Sequence, residues 1–253
     1  MPTALVIGAS RGLGLELTKA FHAAKYTVFA TTRSPPAPGT FPEGVNVIPH
    51  VDVGTESAGP TIVAGLSGAK LDRVILNAAV FHKESFEDLN WDAEVEMYAT
   101  VAIAPVFLVH HLVRAEAFVK GAKFAFITTE GGSITLRTKE EGGGNFGHHG
   151  SKAAANMVGK LLSFELEKIG VTAVLIHPSF MKTDMVKNVG YDKFFESGGA
   201  VTAAEAAHSI LDFVDTVQPA QNGTFWAPRG ARDIGEAERV LGKNLPTPLP
   251  LPW

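Results

Sequence analysis

The sequence contains no cysteine. That excludes disulfides, thiolate metal sites and a cysteine nucleophile, and it fits a reducing compartment. Charge of one sign is also scarce. Lys+Arg 22 against Asp+Glu 26 leaves a formal net charge of -4, and no segment concentrates basic residues, so the footprint of a nucleic-acid binder is missing. The most apolar stretch, residues 101–109, contains Pro105 and runs into His110 and His111, well short of the roughly 20 residues of a membrane helix. The first residues have no basic leader and meet a glycine at position 8, the wrong pattern for a secretory signal. Adjacent helical histidines point about 100° apart, so His110 and His111 without a third ligand suggest no metal site. These absences lead to the expectation of a cytoplasmic protein with no nucleic-acid or membrane partner. With 45% hydrophobic and 19% charged residues over 253 positions, the chain has ample material for a packed core.

What is present is an alternation of short β-branched runs with helical patterns. Strands are expected at 3–7, 26–31, 45–49, 73–76, 123–127, 171–176 and 224–226, and helices at 12–24, 56–66, 86–113, 148–168 and 203–217. That order specifies a single α/β domain, a doubly wound Rossmann-type parallel sheet with helices on both faces. A glycine-rich loop with Gly131, Gly132, Gly142, Gly143 and Gly144 precedes the helix at 148–168. The tail 245–253, with prolines at 246, 248, 250 and 252, cannot be helical and is expected as an extended arm on the body or on a neighbour.

Gly8-Ala9-Ser10-Arg11-Gly12-Leu13-Gly14 follows the first strand and opens the first helix, where backbone N–H groups and the positive helix end hold a pyrophosphate. Its spacing, GxxxGxG, is wider at the start than the GxGxxG fingerprint. An NAD site wants an acid near the end of the second strand. Between Glu16 and Glu43 there is none, and the strand ends in Thr31, Thr32 and Arg33. Arg33 and Arg11 can fork onto a 2′-phosphate, which favours NADP(H).

At this point the chain resembles the short-chain dehydrogenase/reductase family over nearly its whole length, in particular the group around the bacterial C-factor and the insect carbonyl reductase sniffer. Gly8 to Gly14 matches the family's glycine motif, and Asp52-Val53 the pair that contacts adenine. Leu76-Asn77-Ala78-Ala79 resembles NNAG, with Val80 where glycine is usual. Ser151-Lys152-Ala153-Ala154 matches the end of the YxxxK segment, and His177-Pro178-Ser179 with Thr183 resembles the stretch that cradles the nicotinamide. Leu251-Pro252-Trp253 is also typical of that group.

The resemblance implies carbonyl reduction by a Ser, Tyr, Lys and Asn set, and only Lys152 stands unchanged. His148 holds the tyrosine position, Thr129 the serine position with Ser133 as a second candidate, and Val101 the asparagine position. Thr129 keeps a hydroxyl, whereas Val101 cannot relay a proton. His148 and Lys152, at i and i+4, share a helix face, and the ammonium is expected to lower the imidazole's pKa, leaving it mostly neutral and a weak acid at neutral pH.

Residues 179–200 resemble the family's substrate-covering segment. Phe180, Met181, Met185, Val186, Tyr191, Phe194 and Phe195 would line it, and Phe81 with His82, and Phe146, would extend the wall, favouring a bulky apolar small-molecule substrate. The resemblance also implies a homodimer or homotetramer paired through the two long helices, with Ala154, Val158, Leu161, Leu162 and Leu166 on the second. Three functions stay open: an NADP(H)-dependent reductase of a bulky apolar carbonyl or imine with an altered proton-donor set; a cofactor-binding protein doing non-redox or mixed chemistry, such as a cyclisation in secondary metabolism; and a non-catalytic NADP sensor.

Overall fold

The computed structural model describes residues 1–253 throughout. The chain opens β1 (Thr3–Ile7), α1 (Gly12–Ala23), β2 (Thr27–Thr31), β3 (Asn46–Ile48), α2 (Ala58–Leu66) and β4 (Leu71–Leu76). Next come α3 (Trp91–Tyr98), a π-helical turn (Ala99–Ile103), α4 (Ala104–Arg114), β5 (Phe118–Ile127) and α5 (Phe146–Glu167). It ends β6 (Thr172–Ile176), β7 (Met181–Lys182), α6 (Asp184–Asn188), β8 (Val201–Thr202), α7 (Ala203–Thr216), β9 (Thr224–Ala227), α8 (Ala237–Leu241) and β10 (Leu249–Pro250).

One sheet carries the order β10-β9-β6-β5-β4-β1-β2-β3, parallel throughout except that β10 runs antiparallel to β9. The chain reverses direction across the sheet between β1 and β4, and at such a switch point the C-terminal strand ends leave a crevice. The central strands are continuous apolar runs because both faces are covered. Leu5 and Ile7 enter the core beneath α2, α4 and α5, while Ala4 and Val6 enter the one beneath α1 and α7. Phe124 and Phe126 are fully buried in the first core and Phe21 in the second. Each such side chain contributes about 2–3 kcal/mol of burial free energy.

Three expectations need correction. The long helix begins at Trp91, with the Asn90 side chain accepting from Ala93 N–H, rather than at 86. It is also interrupted by the π turn, so it is not one regular helix. With that turn it makes a 24-residue run, Trp91–Arg114, long and apolar enough by composition to cross a membrane, although in the fold it packs against α2 and α5. Helix α5 starts at Phe146 rather than 148, preceded by Asn145 in the left-handed region (φ 48) with no side-chain cap. The proline-rich arm packs on the chain's own body: Leu249 and Pro250 pair with β9, and the Trp253 ring stacks on Phe225 at 5.8 Å.

Candidate active site

A cavity of about 1050 Å³ opens along the C-terminal strand ends. At one end lies the turn after β1. Gly8 has φ +88, and a Cβ there would stand 2.7 Å from Ala78 Cα. A Cβ on Gly14 would meet the Gly8 carbonyl oxygen at 2.0 Å, so both positions exclude any side chain. Thr31 Oγ1 accepts the Gly8 N–H at 2.9 Å, and Asn77 Nδ2 donates to the Gly8 carbonyl at 2.8 Å, fixing the turn from β2 and β4. No side chain caps the first turn of α1, leaving its N–H groups for a ligand. Gly8, Ser10, Arg11, Gly12, Leu13, Arg33, Asp52, Val53, Asn77, Ala78 and Ala79 all line the cavity, whereas Gly14 stands behind it as a packing residue. Arg11 and Arg33 are exposed and form no ion pair. The cradle and its free guanidiniums fit a dinucleotide carrying an extra phosphate.

At the other end β5, α5 and the turn after β6 converge. Lys152 is fully buried without a carboxylate. Its Nζ donates to the Ile127 carbonyl at 3.1 Å, and burial lowers its pKa to about 8. His148, one turn earlier on the same face, stacks on Phe81 with ring centroids 3.9 Å apart. Burial, then the neighbouring Lys152 and His149, lower its pKa to about 3, and its Nδ1 is buried without a partner. The direction matches the sequence argument, but burial leads rather than the lysine. Thr129 faces the cavity, and its Oγ1 accepts the Gly131 N–H at 3.2 Å, so its own proton is free. Ser133, the second candidate, is buried off the cavity and accepts from Leu136 N–H. Val101 is 1% exposed and belongs to the core, while Thr100 beside it in the π turn reaches the cavity wall.

The segment between β7 and β8, which pair with each other and close its base, forms one wall of the cavity. Phe180, Met181, Thr183, Met185, Val186, Tyr191 and Phe194 line the cavity with Pro178, Phe81 and His82. Phe195 instead packs its ring 5.8 Å from that of Phe180. Phe146 stands outside the cavity as well: it is half-exposed, with its ring against Phe86, because it opens α5 on the face away from Lys152.

Asp233 and Asn156 belong to the site and carry no sequence signal. His177 Nδ1 accepts the Glu130 N–H at 3.1 Å, which places the ring proton on Nε2, 3.1 Å from Asp233 Oδ2. Asp233 also accepts the Phe180 N–H. Burial raises the Asp233 carboxyl, but the bonds from His177 and Phe180 outweigh it and hold it below its usual range. This pair clamps residues 178–180, where Ser179 sits at φ 86, a conformation that favours glycine. Asn156 accepts from Thr128 Oγ1 at 2.7 Å and donates to the Gly132 carbonyl at 3.1 Å, bracing the strand end.

Among known proteins, the chain is 29% identical over 230 residues to a 1-hydroxy-2-glutathionyl-2-methyl-3-butene dehydrogenase of Rhodococcus sp. (strain AD45), covering 89% of this chain and 96% of that one. It is 29% identical over 111 residues to the C-signal protein of Myxococcus xanthus, covering 43% of this chain and 58% of that one. Its fold resembles the carbonyl reductase Sniffer of D. melanogaster, with TM-score 0.77, 21% identity and full coverage of both chains. It also resembles an NADPH-bound carbonyl reductase from chicken fatty liver, with TM-score 0.72, 24% identity and 90% and 96% of the two chains covered. The family described as short chain dehydrogenase matches residues 2–193, and this chain belongs to that family.

Proposed function

We propose that the protein is an NADP(H)-dependent reductase of a bulky apolar carbonyl or imine. The observation that carries this reading is one continuous cavity, which runs from the side-chain-free glycine turn with unpaired Arg11 and Arg33 to buried Lys152 and Thr129 beneath an aromatic lid. Bound NADPH supplies a hydride. The chain's own residues do the rest. The α1 N-terminus and the two arginines hold the phosphates, and Asp52 and Val53 edge the adenine. Asn77, Ala78, Ala79, Pro178 and Thr183 fit the nicotinamide half. Lys152 has two N–H groups left after Ile127 and sets a positive field at the reacting oxygen. Thr129 donates to that oxygen. Phe81, Phe180, Met185 and Tyr191 exclude water and select a broad apolar substrate.

The test is NADPH and NADH oxidation with a panel of aromatic ketones and imines, with Arg33→Ala alongside. NADPH is expected to bind at least tenfold tighter than NADH, and the substitution to remove about 1–2 kcal/mol of that preference. Equal affinities unchanged by Arg33→Ala would refute the cofactor assignment. A specific observation favours a second reading: His148, where the family has a phenol, is neutral. If NADPH binds and none is oxidised with any member of the panel, non-redox chemistry in the same pocket becomes the better account.

We also propose self-association. Of the α5 residues expected at the interface, Leu162 and Leu166 belong to the core, while Leu161 is exposed together with Met157, Phe164 and, from α4, Phe107 and Val106. Large apolar side chains exposed on two packed helices are the kind of surface that favours association. Light scattering that gives a monomer at micromolar concentration would reject it.

A further inference from the structure

Reduction requires a proton as well as a hydride, and the groups on the cavity wall differ in how far their protons are committed. Thr128 gives its proton to Asn156. His82 is engaged by Glu96 at 2.8 Å. His148 and His149 are both neutral near pH 7, each chiefly through burial. Of the three tyrosines, Tyr26 is tied to Asp215 through its hydroxyl and Tyr98 lies off the cavity, so Tyr191 on the lid is the phenol that faces the site.

Its position follows from two contacts. Asn145 Nδ2 donates to the Tyr191 oxygen at 2.6 Å, and no other hydrogen bond involves that hydroxyl, so its proton is unassigned. Asn145 immediately precedes α5, about one turn before His148, which stands one turn before Lys152. The Tyr191 ring is also 6.1 Å from Phe81, the ring on which His148 stacks. The lid thus brings a phenol to the same end of α5 from which the helix's own phenol is missing. Two buried atoms there, Asn145 Oδ1 and His148 Nδ1, have no partner within the chain, as expected beside a ligand position.

We propose that Tyr191 is the proton donor of the reaction, a lid-borne phenol acting where α5 presents His148. The proposal rests on the reductase reading above. As hydride reaches the carbonyl carbon, the C=O π pair moves onto oxygen and forms an O–H bond with the Tyr191 proton. The former O–H pair stays on Tyr191 as phenolate, held by the Asn145 N–H until water reprotonates it. One hydride and one proton convert C=O to CH–OH. Because the donor rides on the segment between β7 and β8, the chemistry assembles only with the lid closed, which couples turnover to a substrate large enough to hold it down.

With only three tyrosines, uniform 3-fluorotyrosine labelling gives a fluorine spectrum that Tyr26→Phe, Tyr98→Phe and Tyr191→Phe assign. In protein loaded with NADP⁺, where no hydride is available, adding the ketone of the panel turned over fastest should move the Tyr191 resonance and leave that of Tyr26 in place. Asn145→Gly, which removes the tether while suiting the left-handed backbone, should move the Tyr191 resonance without ligand. Tyr191→Phe should lower NADPH oxidation by about 10²- to 10⁴-fold with NADPH affinity unchanged within twofold, as removal of a positioned acid does; Tyr98→Phe serves as the control. A wild-type reductase whose Tyr191→Phe variant keeps its rate within threefold, or whose Tyr191 resonance ignores the ketone, overturns the proposal alone. A wild-type protein that binds NADPH and reduces nothing overturns the reductase reading, and the proposal with it.

Discussion

At the glycine end of the cavity a ligand is met by backbone, and at the α5 end by side chains. The first end is specified by what cannot be there: any Cβ on Gly8 or Gly14 collides with main chain or Ala78, and Thr31 and Asn77 tie the turn to two strands. The second end is specified by ionisable groups held in unfavourable states. Lys152 is buried without a counter-ion, two histidines are neutral in part through their neighbours, and Ser179 has a positive φ. A steric cradle tolerates few substitutions, so its motif stays readable. A site made of side-chain chemistry can exchange one polar or ionisable side chain for another and keep its fold. Strain and unpaired charge cost stability and persist where a ligand uses them.

The largest expected effect separates the two ends most sharply. Lys152→Met should lower hydride turnover by 10²-fold or more, since a preorganised donor at a developing oxyanion is worth about 10²- to 10³-fold. The same change should raise stability at pH 7 by roughly 1–3 kcal/mol, because the burial that pulls the ammonium down to about 8 is a cost to the folded state. The sign follows from linkage. Below about 8 the lysine is charged in both states and the full penalty is felt; between about 8 and 10.5 the unfolded chain binds more protons, so the penalty fades as pH rises. Denaturant titrations of both proteins at pH 7 and pH 10 check this, and a Lys152→Met protein less stable at pH 7 contradicts it.

Gly14→Ala acts at the other end, where loss of function and loss of stability should go together. A Cβ 2.0 Å from the Gly8 carbonyl forces the turn apart, at about 3 kcal/mol by the usual cost of overpacking. Thermal unfolding and NADPH titration should both deteriorate. A stable protein that has lost only the cofactor would mean that the turn is less rigid than its packing implies.

His148 contributes next, through acid sensitivity. Its pKa is about 3 in the fold against 6.5 unfolded, so between those values the unfolded chain binds the extra proton and stability falls as pH falls. Roughly 2 kcal/mol should be lost between pH 7 and pH 5, and His148→Gln should remove that part of the slope. An unchanged slope in His148→Gln would mean that the ring is better hydrated than its stacking on Phe81 indicates.

Legibility in the sequence divides along the same line. The parallel sheet and the glycine turn were readable because β-branched runs, helical periodicity and glycine spacing express backbone requirements directly. Lys152 and His148 were readable through the resemblance of residues 148–152 to the family's YxxxK segment, whose spacing puts both on one helix face. The late start of the long helix was not, since Asn90 caps it in a segment where Phe86 and Leu89 continue the apolar pattern while remaining exposed. The outward placement of Phe146 depends on how α5 is rotated about its axis, which is set by distant packing. Asp233 had no legible role, because its partners lie more than fifty residues away and meet it only in the folded chain.

The smallest expected effect tests whether Asp233 links the two ends. Its carboxylate takes the His177 Nε2 proton and the Phe180 N–H, and His177 in turn receives the Glu130 N–H, so one acid ties the turn after β6 to the loop after β5. An amide at position 233 keeps one acceptor oxygen and loses the charge, so Asp233→Asn weakens two charge-assisted bonds to ordinary ones, a loss of about 1–2 kcal/mol. If the clamp positions residues 178–180 for the nicotinamide half of the cofactor, that loss should appear as a roughly tenfold rise in KM for NADPH with kcat within about twofold. The affinity for adenosine 2′,5′-bisphosphate, which reaches only the phosphate end, should stay unchanged. Equal weakening for both ligands would place Asp233 in the general stability of the fold, and the two ends of the cavity would then have no private connection through it.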